Sequence, residues 1–163
     1  MRKQYFSAPL PFQGQKRMFA KEYIKVLQQF PDGTTFVDLF GGSGLLSHIA
    51  KCQKPNSTVI YNDFDGYQKR LTMLSETNAL LSELRKLVDA PRYKAILGVQ
   101  REKVLECVRK YERIYGCVDY ITLSSSILFS MKYVTTYADL EKETLYNNIK
   151  STDYPLVMTI LTD

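Results

Sequence analysis

The residues best suited to chemistry lie in Asp38-Leu39-Phe40-Gly41-Gly42-Ser43-Gly44, and a second carboxylate, Asp63, follows about 20 residues beyond the glycines. A tight turn from strand to helix demands backbone angles that a Cβ forbids, and the missing side chains let a ligand approach the main chain. The helix after such a turn offers free N–H groups and the positive end of its dipole to a carboxylate or phosphate. The spacing G-G-x-G differs from the dinucleotide pattern G-x-G-x-x-G, which disfavours a nicotinamide-dependent oxidoreductase, and the lack of G-K-[ST] disfavours a P-loop. Asp38 would repel a pyrophosphate but suits the α-amino group of an amino-acid-like ligand. Asp63 is placed where a carboxylate accepts both hydroxyls of a ribose. An amino acid at the first strand end and a ribose at the second describe S-adenosylmethionine. The plainer alternative makes both aspartates turn or cap residues.

These residues need an ordered frame. Phe19, Tyr23, Val26, Leu27 and Phe30 recur at helical spacing within residues 15–30, and Pro31-Asp32-Gly33 closes that helix. The β-branched and apolar run Thr34–Leu39 reads as a buried strand, Leu45 to Lys51 as a short helix, and Thr58–Tyr61 as a second buried strand. The order of strand, glycine turn, helix and strand is half of a nucleotide-binding α/β unit. Beyond it the chain reads as mostly helical. Leu71, Leu74, Leu81, Leu84 and Val88 predict one long amphipathic helix, and Val99 to Ile114 predict another ending at Gly116. Val118–Leu123 reads as a third strand, Ser124–Thr136 as irregular, and Tyr137–Lys150 as a last helix. The expected division is a cofactor-binding part over 1–88 and a helical, partly target-recognising part over 89–163.

The chain of 163 residues is long enough for a real core, and its 45% hydrophobic and 24% charged content is that of an ordinary globular protein. No run of about 18 apolar residues occurs, so no transmembrane helix is expected, and the start lacks the apolar stretch of a secretory signal. Cys52, Cys107 and Cys117 have no CxxC spacing, which argues against a disulfide framework or a zinc site and for a reduced, cytoplasmic protein with no metal. The net charge of +5 is concentrated at the start: Arg2, Lys3, Lys16, Arg17, Lys21 and Lys25 face Glu22 alone within residues 1–30. With Tyr5, Phe6 and Phe12 interleaved, this segment would attract a phosphate-rich partner, although on charge alone a solvated basic face is the simpler reading. His48 is expected to be a partly exposed structural residue, and Tyr111, Tyr115 and Tyr120 to be core or interface.

Phe36-Val37-Asp38-Leu39-Phe40-Gly41-Gly42-Ser43-Gly44, followed by Tyr61-Asn62-Asp63-Phe64-Asp65, resembles the first two motifs of Dam-type DNA adenine methylases. Pro11-Phe12-Gln13-Gly14-Gln15-Lys16-Arg17-Met18 resembles the Pro-Phe and Gly-x-Lys-Arg element that precedes them in that family. The likeness is firm over about residues 9–75 and loose to about 155. It implies a Rossmann-like S-adenosylmethionine-dependent fold and methyl transfer to the exocyclic N6 amine of adenine in double-stranded DNA, as in restriction-modification systems. It also implies that Gln15 and Lys16 lie against the methionine end of the cofactor. Asp38 and the backbone of Phe40, Gly42 and Gly44 would hold the amino-acid portion, Asp63 the ribose, and Phe64 the adenine ring, with a core phenylalanine as the plainer alternative for Phe64. Lys3, Arg17 and Lys132 would touch DNA, and Ser124-Ser125-Ser126 and Tyr133 would either reach its phosphates with Lys132 or form a plain polar loop.

One departure from the family is plain. Its [Asp/Asn/Ser]-Pro-Pro-[Tyr/Phe] element accepts hydrogen bonds from the target amine and stacks on a base taken out of the duplex. Here Pro9, Pro11, Pro31, Pro55, Pro91 and Pro155 are all isolated, so no catalytic residue is assigned. Two strands, or three with Val118–Leu123, are fewer than the six or so of such a sheet. The expectation is therefore an incomplete sheet and an N-terminal fragment, inactive alone, that self-associates or meets a complementing chain. The apolar close, Leu156–Asp163, fits that expectation. The alternative is a non-catalytic nucleic-acid-binding module with a vestigial cofactor pocket.

Overall fold

The computed structural model describes residues 4–14 and 16–155. Lys3, Gln15 and the apolar close 156–163, all named above, lie outside the described residues. The chain forms two compact units, one ending at Leu71 and the next beginning at Thr72. Residues 74–87, read above as the close of the cofactor-binding part, belong to the second.

In the first unit a 3₁₀ turn, Lys16–Phe19, leads into α1 (Ala20–Leu27); β1 (Phe36–Asp38), α2 (Leu45–Gln53) and β2 (Val59–Tyr61) follow, and α3 (Tyr67–Thr72) closes it. β1 and β2 pair in parallel, with Phe36 opposite Val59 and Asp38 opposite Tyr61. A parallel pair needs a crossover, and α2 supplies it. Ala20 and Leu27 of α1 meet Leu45, Ile49 and Ala50 of α2 in a buried cluster, with Phe36 and Val59 of the strands packed against it. The pleat half-buries Phe36, Val59 and their same-face neighbours Asp38 and Tyr61, while Val37 and Ile60 face outward, so neither strand is the buried one expected. The polar ends of the inward faces are thus delivered to the glycine turn.

The second unit holds α4 (Leu74–Leu87), β3 (Ala95–Ile96), α5 (Gly98–Tyr115), α6 (Tyr120–Ile127), α7 (Tyr137–Leu140) and β4 (Leu145–Tyr146). α4 packs on α5, burying Leu80, Leu81 and Leu84 together with Val104, Leu105 and Val108. β3 and β4 form a short antiparallel pair.

Four expectations are corrected. The single helix from Leu71 to Val88 is two, α3 and α4, interrupted at Met73. Val118–Leu123 is not a strand but the entry to α6, because Asp119 caps that helix, its Oδ1 accepting from the Thr122 N–H at 3.0 Å. Ser124 and Ser126 consequently lie inside α6, where their hydroxyls donate to carbonyls four residues back. The last helix lasts one turn, Tyr137–Leu140, since Leu145 is buried by pairing with Ile96 instead. Together the helices and two small sheets make a mixed α/β arrangement. No helix among the described residues is long and apolar enough to cross a membrane, and no cluster of metal-ligating side chains occurs among them.

Candidate functional site

The turn between β1 and α2 opens a cavity of about 440 Å³, lined by Phe12, Lys16, Leu39–Ser43, Asn62, Phe64 and Asp65 among others. That volume falls within the roughly 300–1,000 Å³ of small-molecule sites. Its floor depends on two glycines. A Cβ at Gly41 would collide with the Tyr61 ring and sit 2.7 Å from the Asn62 carbonyl; one at Gly42, where φ is +51°, would come within 2.9 Å of Phe12. Gly44, at φ +69°, turns the chain into α2.

The opposite wall is the segment before the first helix, and α3 pins it. The buried Tyr67 hydroxyl accepts from the Leu10 N–H at 3.0 Å, and Arg70 Nη2 donates to the Pro11 carbonyl at 2.7 Å. Phe12 meets the Tyr67 ring edge-on. Pro11-Phe12 thereby becomes a fixed wall rather than a loose arm.

Of the residues singled out from the sequence, Lys16, Phe40, Gly42 and Phe64 line the cavity. Phe40 and Phe64 are 81% and 89% exposed, two large apolar rings standing in solvent at its rim. Neither is core, which goes against Phe64 as a core phenylalanine. Lys16 Nζ donates to the Phe40 carbonyl and lies 3.9 Å from Asp38 Oδ1. Asp38 itself stands behind the turn, its Oδ2 accepting from the Ser47 hydroxyl at 2.7 Å. The α2 serine thus orients the carboxylate toward the lysine.

Asp63 sits in a different arrangement. Its Oδ1 accepts from the Tyr67 N–H at 2.7 Å and its Oδ2 from the Gln68 N–H at 3.0 Å, so both oxygens hold the first turn of α3. The Tyr61 hydroxyl lies 2.9 Å from Oδ1 and 2.6 Å from the Gly42 carbonyl; its one proton serves one acceptor at a time. Burial, then the Asp63 hydrogen bond and the Asp63 and Asp38 charges, raise the Tyr61 pKa far above the phenol range, so this group stays protonated.

Three contributors to the site were not singled out. Gly41 and Tyr61 are a matched pair, ring against missing side chain, and Asp65 lines the cavity where Asp63 does not. The alternation that puts Val59 and Tyr61 on one face of β2 is the sequence signal for Tyr61. Asp65 carried none beyond its place in the second motif. Arg17 is exposed, and Lys132, in the second unit, pairs with Glu143 at 2.6 Å. His48 is buried rather than partly exposed: Nε2 accepts from the Tyr5 N–H at 3.1 Å, a structural role.

No protein-family model matches the chain, and no solved structure matches it. A curated protein of Haemophilus influenzae, named "Putative methyltransferase", is 39% identical over 165 aligned residues. The match takes in 94% of this chain and 53% of that protein, so the chain spans about half the length of the curated relative it matches. The relative's name carries methyl transfer in general and specifies no substrate.

Proposed function

We propose that the first unit binds S-adenosylmethionine in the glycine-turn cavity, and that the protein to which it belongs methylates the N6 amine of adenine in double-stranded DNA. The cavity itself carries this reading: a main-chain floor kept open by Gly41 and Gly42, between exposed rings and Lys16, whose ammonium lies 3.9 Å from Asp38 behind the turn. The residues suit the ligand end by end. Lys16 offers an ammonium to the methionine carboxylate, and Asp38, held by Ser47, offers a carboxylate to the α-amino group. Phe64 and Phe40 present apolar faces for a purine. Asp65 and Asn62 are the polar groups on the wall nearest the second strand end, while Asp63 acts on the ribose only through the loop it fixes. When bound, the cofactor supplies a methyl group on a sulfonium sulfur. The chain has no adjacent prolines to form the family's amine-accepting element, so we expect no methyl transfer from it alone.

Thermal unfolding with ligands tests the reading. Binding to the folded chain stabilises it by about 2.7 kcal/mol at a hundredfold excess over Kd, which is several degrees for a chain of this size. S-adenosylmethionine and S-adenosylhomocysteine should raise the midpoint, and NAD should not. Lys16→Ala should remove most of the rise. A rise with NAD alone would point to an oxidoreductase, and indifference to all three to a vestigial pocket.

A further inference from the structure

Tyr61 does not line the glycine-turn cavity, yet it touches both of the strand-end loops that build it. Its ring fills the space that Gly41 leaves, and its hydroxyl lies 2.6 Å from the Gly42 carbonyl and 2.9 Å from Asp63 Oδ1. Both of these neighbours only accept, and the phenol has one proton to give. Asp63 Oδ1 also receives the Tyr67 N–H at 2.7 Å, so the carboxylate keeps a donor whichever way the phenol turns. Turned to Gly42, the hydroxyl holds the glycine turn in place. Turned to Asp63, it sets a lone pair against the Gly42 carbonyl at 2.6 Å, and the turn has to move. The position of the turn is tied to the position of one proton.

The same hydroxyl closes a circuit around the cavity. From Asp63 the circuit runs through the Tyr67 N–H to the Tyr67 ring, which Phe12 meets edge-on. From Phe12 it returns to Gly42, where a Cβ would come within 2.9 Å of the Phe12 ring. Floor and wall are therefore held by contacts that depend on one another, the kind of packed chain that carries coupling between sites. Asn62 makes a second bridge between the loops, its Nδ2 donating to the Leu39 carbonyl at 3.0 Å. That bridge joins the entry of the turn, ahead of the glycines, whereas the phenol reaches Gly42 itself.

We infer that Tyr61 is a positioning residue of the cofactor site: its hydroxyl couples the glycine turn to the Asp63 loop, so that ligand groups at the two strand ends strengthen each other's binding. The inference rests on the cofactor reading above. Tyr61 meets the ligand only through Gly42 and Asp63.

The test is calorimetric titration of the full chain beside Tyr61→Phe, which keeps the ring against Gly41 and removes the hydroxyl alone. S-adenosylhomocysteine should bind the variant roughly tenfold more weakly, inside the usual range of about 5- to 150-fold for coupled sites. Methylthioadenosine, which lacks the amino-acid part and so engages one strand end, should lose little. Asp63→Ala should cost less affinity in Tyr61→Phe than in the unaltered chain, whereas Phe64→Ala, a ring standing in solvent outside the circuit, should cost the same in both. Heteronuclear Overhauser effects of the free chain report the turn directly: in Tyr61→Phe they should fall at Gly41–Ser43 and keep their values in α1. Equal affinity of Tyr61→Phe and the unaltered chain for S-adenosylhomocysteine, equal losses for the two ligands, or full additivity with Asp63→Ala would each overturn the inference and leave the cofactor reading standing. No binding of either ligand by the folded, unaltered chain would remove the cofactor reading instead. The Overhauser effects then decide the coupling by themselves, and unchanged values at Gly41–Ser43 overturn it.

Discussion

At the scale of single residues, the two aspartates named from the sequence have separated into different jobs. Asp38 faces Lys16, which lines the cavity, whereas Asp63 spends both oxygens on backbone donors of α3. The spacing alone could not distinguish these, because a carboxylate at a strand end meets a ribose or caps the next helix equally well until the N–H groups of Tyr67 and Gln68 are placed. Asp63→Ala should therefore lower stability by about 1 kcal/mol, the usual worth of such a cap, read as a shift in urea midpoint. If the variant loses S-adenosylhomocysteine binding with no loss of stability, Asp63 touches the ribose after all. Gly41 gives a sharper residue-level prediction. Gly41→Ala drives a methyl group into the Tyr61 ring, an overpacking cost of about 1–3 kcal/mol, and should be relieved in part by pairing it with Tyr61→Ala, the approach to the Asn62 carbonyl remaining. Additive effects of the two changes in urea unfolding would show that they do not act through this contact.

Among the elements, β1, α2 and β2 were legible because each had a strong local pattern: β-branched runs for the strands, glycines and Pro55 for the breaks. α6 was not. Val118–Leu123 is a short apolar run in which helix and strand periodicities cannot be told apart, and Asp119, the cap that decides it, is an ordinary loop residue until Thr122 comes into reach. β4 was lost to the opposite error. Thr136 and Asp139 start a real helical turn, and only the distant partner Ile96 draws Leu145 out of it. The α4–α5 pair carries a pH prediction. Glu83 is held below the ordinary glutamate range by hydrogen bonding from Tyr111 first, then by Lys110. Burial, aided by Glu83, pushes the Cys107 thiol and the Tyr111 hydroxyl up to about 12. A lowered acid contributes stability that is present above its unfolded pKa and is lost as pH falls, and the two raised groups contribute stability that is lost as pH rises above their ordinary values. The urea midpoint should thus be flat between about pH 5 and 8 and decline on both sides. Glu83→Gln should soften the acid limb, and an unchanged acid limb would mean that Glu83 does not couple to folding.

For the molecule as a whole, the expected division and the compact units fall at different points of the chain. The expected division at residue 88 followed function, while the compact units divide between Leu71 and Thr72, inside what reads as one continuous helical pattern. Nothing local marks that point, since the choice of which core takes α4 is made by α5, far along the chain. The first unit nonetheless presents a main-chain-floored cavity where the glycine motif lies, and the second presents a basic, aromatic cleft that charge counting missed because its cations come from three separate segments. The central claim, that the glycine-turn cavity is a cofactor site, is tested most directly by calorimetric titration of the chain with S-adenosylhomocysteine, with Phe64→Ala alongside. Phe64 is too exposed for its loss to unfold the chain. The account predicts one site per chain and a roughly 3- to 10-fold weaker complex for the variant, the worth of one stacked ring. No heat of binding from a folded chain, or binding that Phe64→Ala leaves untouched, would contradict it.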